Sequence, residues 1–171
     1  MPTCLRRVKS GRDVLTRRTS RRRHWLSFSM VSGSASRPPI PMLATSAFSL
    51  KRWDEKPYDE ADGAPKLTRA SVLYDFEGEL SGEGRLEYLM TYLRDGSALF
   101  VGFQRFAGRL GAREGTFIFR HGGRFADGVA TDTWTVVPGS GTGDLAGITG
   151  QVEFSASHQD RYEIIFEYDL A

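Results

Sequence analysis

The chain of 171 residues contains no asparagine, one cysteine and only three histidines. A single thiol, Cys4, excludes a disulfide framework and any site built from several thiolates. His24, His121 and His158 are widely separated in sequence, so no His-rich metal motif forms and no metal or cofactor is expected. No apolar run approaches the ~18 residues of a membrane-crossing helix. Lysine is scarce, with four residues against nineteen arginines. That imbalance, with the missing asparagine, reads as the coding bias of a GC-rich genome.

Charge is divided sharply along the chain. Residues 1–41 hold ten Lys and Arg against the single acid Asp13, a net of +9, whereas residues 42–171 carry a net of −7. The basic segment is rich in serine and lacks sustained periodicity, which is the signature of a disordered extension or a mis-assigned start before Met42. An organelle-targeting peptide is a second reading. A third is a twin-arginine export signal in residues 20–36, because Arg22-Arg23-His24-Trp25-Leu26 sets paired arginines before apolar residues. Its apolar stretch, Trp25 to Val31, sits at the short limit for such signals, so a cytoplasmic domain is the expectation. The acidic domain lacks the basic stripe that nucleic-acid binding needs.

From residue 44 onward the apolar period is two, and no 3.6-residue pattern persists. Eight strands are expected, near 44–52, 67–78, 84–94, 97–107, 115–125, 129–137, 150–157 and 161–170. Asp54 to Pro65 reads as a polar loop, with Trp53 and Tyr58 beside it as lid or plug. Ser81 to Gly84 and Gly108 to Gly115 read as hairpin loops. Short antiparallel connections suggest a meander closing into a barrel.

Two Asp-Gly pairs, Asp95-Gly96 and Asp127-Gly128, read as two-residue hairpin turns and set a register. The first places Tyr92 opposite Leu99, Met90 opposite Val101 and Tyr88 opposite Phe103. The second places His121 opposite Trp134, Phe119 opposite Val136 and Phe125 opposite Ala130. Side chains facing one another across strands share a face. The inner face then collects these apolar residues with Phe117, while Arg120, Arg124, Thr131, Thr133 and Thr135 point outward. Leu89, Leu93, Phe100, Phe106 and Ile118 fall on the outside too, which suggests a covered patch and a homo-oligomer.

The glycine-rich run from Pro138 to Gly150 invites a nucleotide-binding reading, yet no lysine follows Lys66 to complete a phosphate loop. A dinucleotide fingerprint needs a helix and a further parallel strand, and only two antiparallel strands follow. Ser140 lacks the strand-to-helix context of a nucleophile elbow. A structural crossover is the better reading.

The run "GSGTGDLAGITG" after "TWTVVP" resembles the Gly-Thr-Gly loop of the allene oxide cyclase barrel-like superfamily, which includes the dirigent proteins. Residues 44–171 more specifically resemble a bacterial family of that superfamily known as a domain of unknown function. The matching runs are "KRWDEKPYDE", "KLTRASVLYDFEGELSGEG", "EYLMTYLRDG", "FVGFQRFAGRLGAREGTFIFRHGG" and "WTVVPGSGTGDLAGITG". The resemblance implies an eight-stranded antiparallel barrel. No motif of the cyclases' catalytic residues aligns, and none is carried over.

Such a barrel either fills its interior or holds one small ligand. Candidate polar groups inside are Tyr74, Tyr88, Tyr92, Arg105, His121, Asp132, Tyr162 and Tyr168. Met90, Phe119 and Trp134 would complete a lining for a flat or polyene-like molecule. His121 is the candidate general acid/base, with Tyr92 beside it. Arg105 reads as a buried guanidinium that needs a carboxylate or an anionic ligand. Asp132 reads as a rim residue. Three functions follow: a barrel binding a small apolar or aromatic ligand, an isomerase or cyclase of a hydrophobic substrate, and a scaffold with a filled core.

Overall fold

The structure, a computed structural model, describes residues 40–170. Cys4, His24 and the Arg22-Arg23 export motif lie outside the described residues, as does nearly all of the basic segment. The described chain forms β1 (Met42–Asp59), β2 (Lys66–Gly78), β3 (Leu80–Tyr92), β4 (Ala98–Leu110), β5 (Arg113–Ala126), β6 (Val129–Val136), a short 3-10 turn (Gly143–Leu145), β7 (Thr149–Ser157) and β8 (Arg161–Asp169). Each strand pairs with the next and β8 returns to β1, closing an eight-stranded antiparallel barrel in chain order. Among the described residues closure removes the sheet edges except along β7 and β8, whose ladder covers only Thr149–Gln151 and Glu167–Asp169.

Several strands run further than the alternation alone indicates. β1 continues through the segment read as a polar loop, and its ladder with β2 reaches Asp59 opposite Leu67. Ser81 to Gly84 belong to β3, paired across to β4. Leu110 faces Arg113, so the turn between β4 and β5 is only Gly111-Ala112. Polar and glycine-rich stretches read as loops because they lack apolar alternation, yet a neighbouring strand supplies their backbone hydrogen bonds just as well.

The β5–β6 register is as expected, with His121 opposite Trp134, Phe119 opposite Val136 and Phe125 opposite Ala130. Asp127 and Gly128 both take positive φ, 52° and 78°, as a type I′ turn requires. The β3–β4 register is displaced by one residue. Tyr92 faces Ala98, Met90 faces Phe100, and Tyr88 faces Gly102. At this turn Leu93 N–H donates to Ser97 O at 2.8 Å and Gly96 N–H to Leu93 O at 3.1 Å. The loop therefore holds three residues, a type I turn followed by Gly96 at φ 83°. The Asp95 carboxylate holds it closed, accepting from Ser97 N–H at 3.0 Å and the Ser97 hydroxyl at 2.6 Å.

Because the side-chain period is two, one extra loop residue turns the whole of β4 over. Leu99, Val101 and Phe103 lie outside, 48%, 58% and 60% exposed, while Phe100 and Phe106 are buried inside. Arg105 points to solvent instead of the interior. The apolar outer residues on β3, β4 and the loop between them are thus Leu89, Leu93, Leu99, Val101 and Phe103. Ile118 also faces out, half-covered by the segment after β6, whose Val137 N–H donates to Ile118 O.

One end of the barrel is filled. Phe106, Phe117, Phe119, Phe166, Leu80, Leu145 and Ile148 are all essentially inaccessible. Leu145 and Ile148 come from the glycine-rich crossover, which continues the ladder along β5 through Thr142 N–H to Thr116 O at 2.8 Å. Toward the other end β1 carries a bulge: Leu50 faces Tyr74 and Arg52 faces Leu73, so Lys51 is the extra residue. The inward phase therefore passes from Phe48 and Leu50 to Trp53 and Glu55.

The revised register has a direct test in urea denaturation. Phe106→Ala is expected to destabilise by about 3–5 kcal/mol, as for a fully buried aromatic ring. Phe103→Ala is expected to cost less than about 1 kcal/mol. Equal costs would return Phe103 to the interior.

Candidate binding cavity

The unfilled end opens into a cavity of about 460 Å³ bordered by Phe48, Trp53, Tyr74, Tyr88, Met90, Tyr92, Phe100, Trp134, Phe154 and Tyr162, among others. Its walls are rings packed on rings. Phe48 meets Tyr74 at 4.9 Å and stacks on Tyr162 at 5.0 Å between centroids. Tyr88 meets Phe100 edge-on at 5.0 Å, and Trp53 approaches Tyr88 at 6.2 Å. One side of this end is not closed by a ladder. β7 and β8 pair only from Thr149–Gln151 to Glu167–Asp169, and beyond that Phe154 meets Tyr162 at 5.5 Å across the seam.

Beneath the cavity wall lies a buried polar knot centred on Asp132. Its Oδ2 accepts from the Trp134 indole at 2.8 Å and the Tyr88 hydroxyl at 3.0 Å, and His121 Nδ1 lies 2.8 Å away. Its Oδ1 accepts from Gly122 N–H at 3.0 Å. Asp132 is 6% exposed and His121 2%, so Asp132 is a buried hub, not a rim residue. With its charge met by four donors, the carboxylate is tolerated out of water. His121 Nε2 has no partner. The tautomer with its proton on Nδ1 therefore suits the site, since a proton on Nε2 would be a buried donor without an acceptor.

Gly102 makes the knot geometrically possible. It stands between Tyr88 and His121 in one row across β3, β4 and β5. A Cβ there would sit 2.8 Å from Tyr88 Cδ1 and closer still to the Glu87 carbonyl. Without one, the Tyr88 ring lies over β4 and its hydroxyl reaches the residues of β5 and β6. Burial pushes the Tyr88 hydroxyl far above its ordinary pKa, with the nearby Tyr74 and Asp132 adding to the rise. Burial raises Tyr74 strongly as well. Both phenols are therefore hydrogen-bonding groups and not acids near neutrality.

A second carboxylate sits at the mouth. Glu55, brought inward by the β1 bulge, accepts from the Thr68 hydroxyl at 2.6 Å, the Tyr92 hydroxyl at 2.7 Å and the Trp53 indole at 2.9 Å. Burial alone would raise its pKa, but these hydrogen bonds and Lys66 hold it below the ordinary 4.5. Tyr92 is pushed up to about 12 by partial burial and by the Glu55 carboxylate.

The residues singled out from sequence are divided by the fold. Tyr74, Tyr88, Met90, Tyr92, Trp134 and Tyr162 border the cavity. His121 lies behind it, 4.8 Å from Trp134 between ring centroids. Phe119 is buried deeper. Tyr168 belongs to the filled end, stacked on Phe166 at 5.3 Å. Arg105 is on the outer surface. Glu55 escaped notice because alternation cannot foresee a bulge that changes phase. Gln104 escaped because the displaced register hid it: it is fully buried on the inner face, opposite Phe119, and neither amide atom has a partner. The signal that pointed to Asp132 was its place opposite Gly123 on the inward phase of β6.

Residues 44–168 match the model of the family described as "Protein of unknown function (DUF3224)", and the chain belongs to that family. It is also similar to the crystal structure of a protein of unknown function from the DUF3224 family of Shewanella oneidensis MR-1. The TM-score is 0.67 at 25% sequence identity, over 77% of this chain and 98% of that one. No curated protein matches.

Two predictions concern the carboxylates. Asp132→Ala strands a buried indole, a phenol, a backbone N–H and His121 at once, and is expected to cost about 3–5 kcal/mol in chemical denaturation. A loss below about 1 kcal/mol would show that the knot is not formed. For the mouth, Glu55 has a lowered folded pKa, so its contribution is present above pH 4.5 and is lost as pH falls through the lower folded value. Tyr92 has a raised one, so its contribution is full below pH 10 and is lost as pH climbs toward 12. Stability against pH should therefore flatten at both limits in Glu55→Gln, and at the alkaline limit in Tyr92→Phe.

Proposed function

We propose that this DUF3224 barrel is a ligand-binding protein that holds one small apolar or aromatic molecule in the open end of its interior. The observation that carries the reading is the asymmetry of the core. One end is packed solid by phenylalanine and aliphatic side chains, while the other leaves about 460 Å³ among aromatic rings. That volume lies within the range of small-molecule sites, about 300–1,000 Å³. Mostly apolar walls with a few fixed polar groups are the usual composition of such sites. The family resemblance to allene oxide cyclase-like barrels agrees with this use of the interior.

A second reading, an isomerase or cyclase, is favoured by the His121–Asp132 pair at 2.8 Å. In that case the protein would act by shaping the substrate. His121, screened from the cavity by the rings in front of it, would act only through Asp132 as a positioning residue, since the Tyr88 and Tyr92 hydroxyl protons are already given to Asp132 and Glu55. Conversion of a bound molecule by wild type, lost in His121→Phe at unchanged affinity, is the result that would select it.

Native mass spectrometry of the full chain is expected to show a noncovalent adduct of a few hundred daltons, or to gain one on incubation with an apolar fluorescent probe. Ala130→Trp, which places an indole in the lining, is expected to abolish the adduct while the thermal midpoint stays within a few degrees of wild type. An undiminished adduct in this variant would move the site away from the cavity.

A further inference from the structure

Four of the rings bordering the cavity share one arrangement. Trp134 and Tyr88 donate their polar hydrogens to Asp132. Trp53 and Tyr92 donate theirs to Glu55. Each carboxylate thus takes one indole and one phenol. Donation to an anion pushes electron density back into the ring and strengthens the negative potential over its face. That potential is what attracts a cation to an aromatic surface.

The formal charges agree with the rings. Among the described residues no lysine or arginine borders the cavity, and Asp132 does. Glu55 stands at the mouth with Lys66 near enough to act on it, and among the described residues the one other titratable side chain in the lining besides the tyrosines is His158. Arg105, the guanidinium that would have received an anionic ligand, faces solvent on the outside of β4. Asp132 accepts from an indole, a phenol and a backbone N–H, none of them cationic, and beside it lies the His121 imidazole, whose Nε2 has no partner. A mostly apolar space with carboxylates and no cation in its wall repels a carboxylate or phosphate. It gives a neutral molecule only the benefit of burial, and a cation both burial and attraction.

We propose that the occupant of the cavity is an organic cation, a quaternary or protonated amine with an apolar or aromatic body, held over rings polarised by Asp132 and Glu55. This rests on the cavity being a binding site and names the chemical class that it takes.

Three probes share a phenyl group and a tetrahedral head but differ in charge: phenyltrimethylammonium, tert-butylbenzene and benzenesulfonate. Titrated into the full chain and followed by tryptophan fluorescence, the cation is expected to bind at least about tenfold more tightly than its neutral isostere. The sulfonate is expected not to bind. Glu55→Gln, at the partly exposed mouth, should weaken the cation several-fold and leave tert-butylbenzene unchanged. Ala156→Lys, which adds a positive charge to the lining, should abolish cation binding with the thermal midpoint retained. If tert-butylbenzene binds as tightly as the cation, or the sulfonate binds better, the charge assignment is overturned while the binding barrel stands. If none of the three binds and no apolar probe enters either, both fall.

Discussion

Asp132 is the constraint on which the open half of this barrel depends. A carboxylate at 6% exposure is sustainable only where hydrogen-bond donors replace the water it has lost. Its donors come from three strands: Tyr88 on β3, His121 and Gly122 on β5, and Trp134 on β6. Satisfying it fixes the relative positions of those strands at the depth where the solid core ends. It also fixes the Trp134 and Tyr88 rings as a floor, so the space above them is a hollow with a defined shape. The interaction that stabilises the knot therefore also sets the electrostatics of the cavity.

Phase is the second organising principle, and two local irregularities control it. The three-residue loop closed by Asp95 turns β4 so that Phe100, Gly102 and Gln104 face inward. The bulge at Lys51 turns the second half of β1 so that Trp53 and Glu55 do. Either change, undone, would exchange an aromatic or acidic wall for the opposite face of the strand. The cavity's chemistry is thus determined as much by where one residue is inserted as by which residues the strands contain. Leu99, Val101 and Phe103 show the cost of that insertion, since they are left on the outside as exposed apolar side chains.

How far the sequence could be read follows from the same physics. Asp127-Gly128 takes the positive φ at both positions that its residue types tolerate, and so the two-residue turn expected of it, and the β5–β6 register holds residue by residue. Asp95-Gly96 serves equally in a two-residue turn or as the end of a three-residue loop. The choice lies in hydrogen bonds that Leu93 and Ser97 make once the strands are paired. Both phases of β4 are apolar, Leu99-Val101-Phe103 against Ala98-Phe100-Phe106, so hydrophobicity could not arbitrate. For β1, a polar run containing Pro57 resembles a loop until β2 lies beside it.

Alternation and turn chemistry, which act between neighbours in the chain, by themselves determined the barrel: eight strands, their order, and an aromatic interior. They also determined that His121, Trp134 and Tyr88 share the inside. Tertiary structure alone decided that Arg105 leaves the interior, that Glu55 enters it, and that Asp132 gathers donors from strands far apart in sequence. Those outcomes depend on how strands pair side by side: the three-residue loop turns β4, the bulge turns β1, and Gly102 lets Tyr88 reach over β4 to a carboxylate whose charge is too costly to bury unpaired.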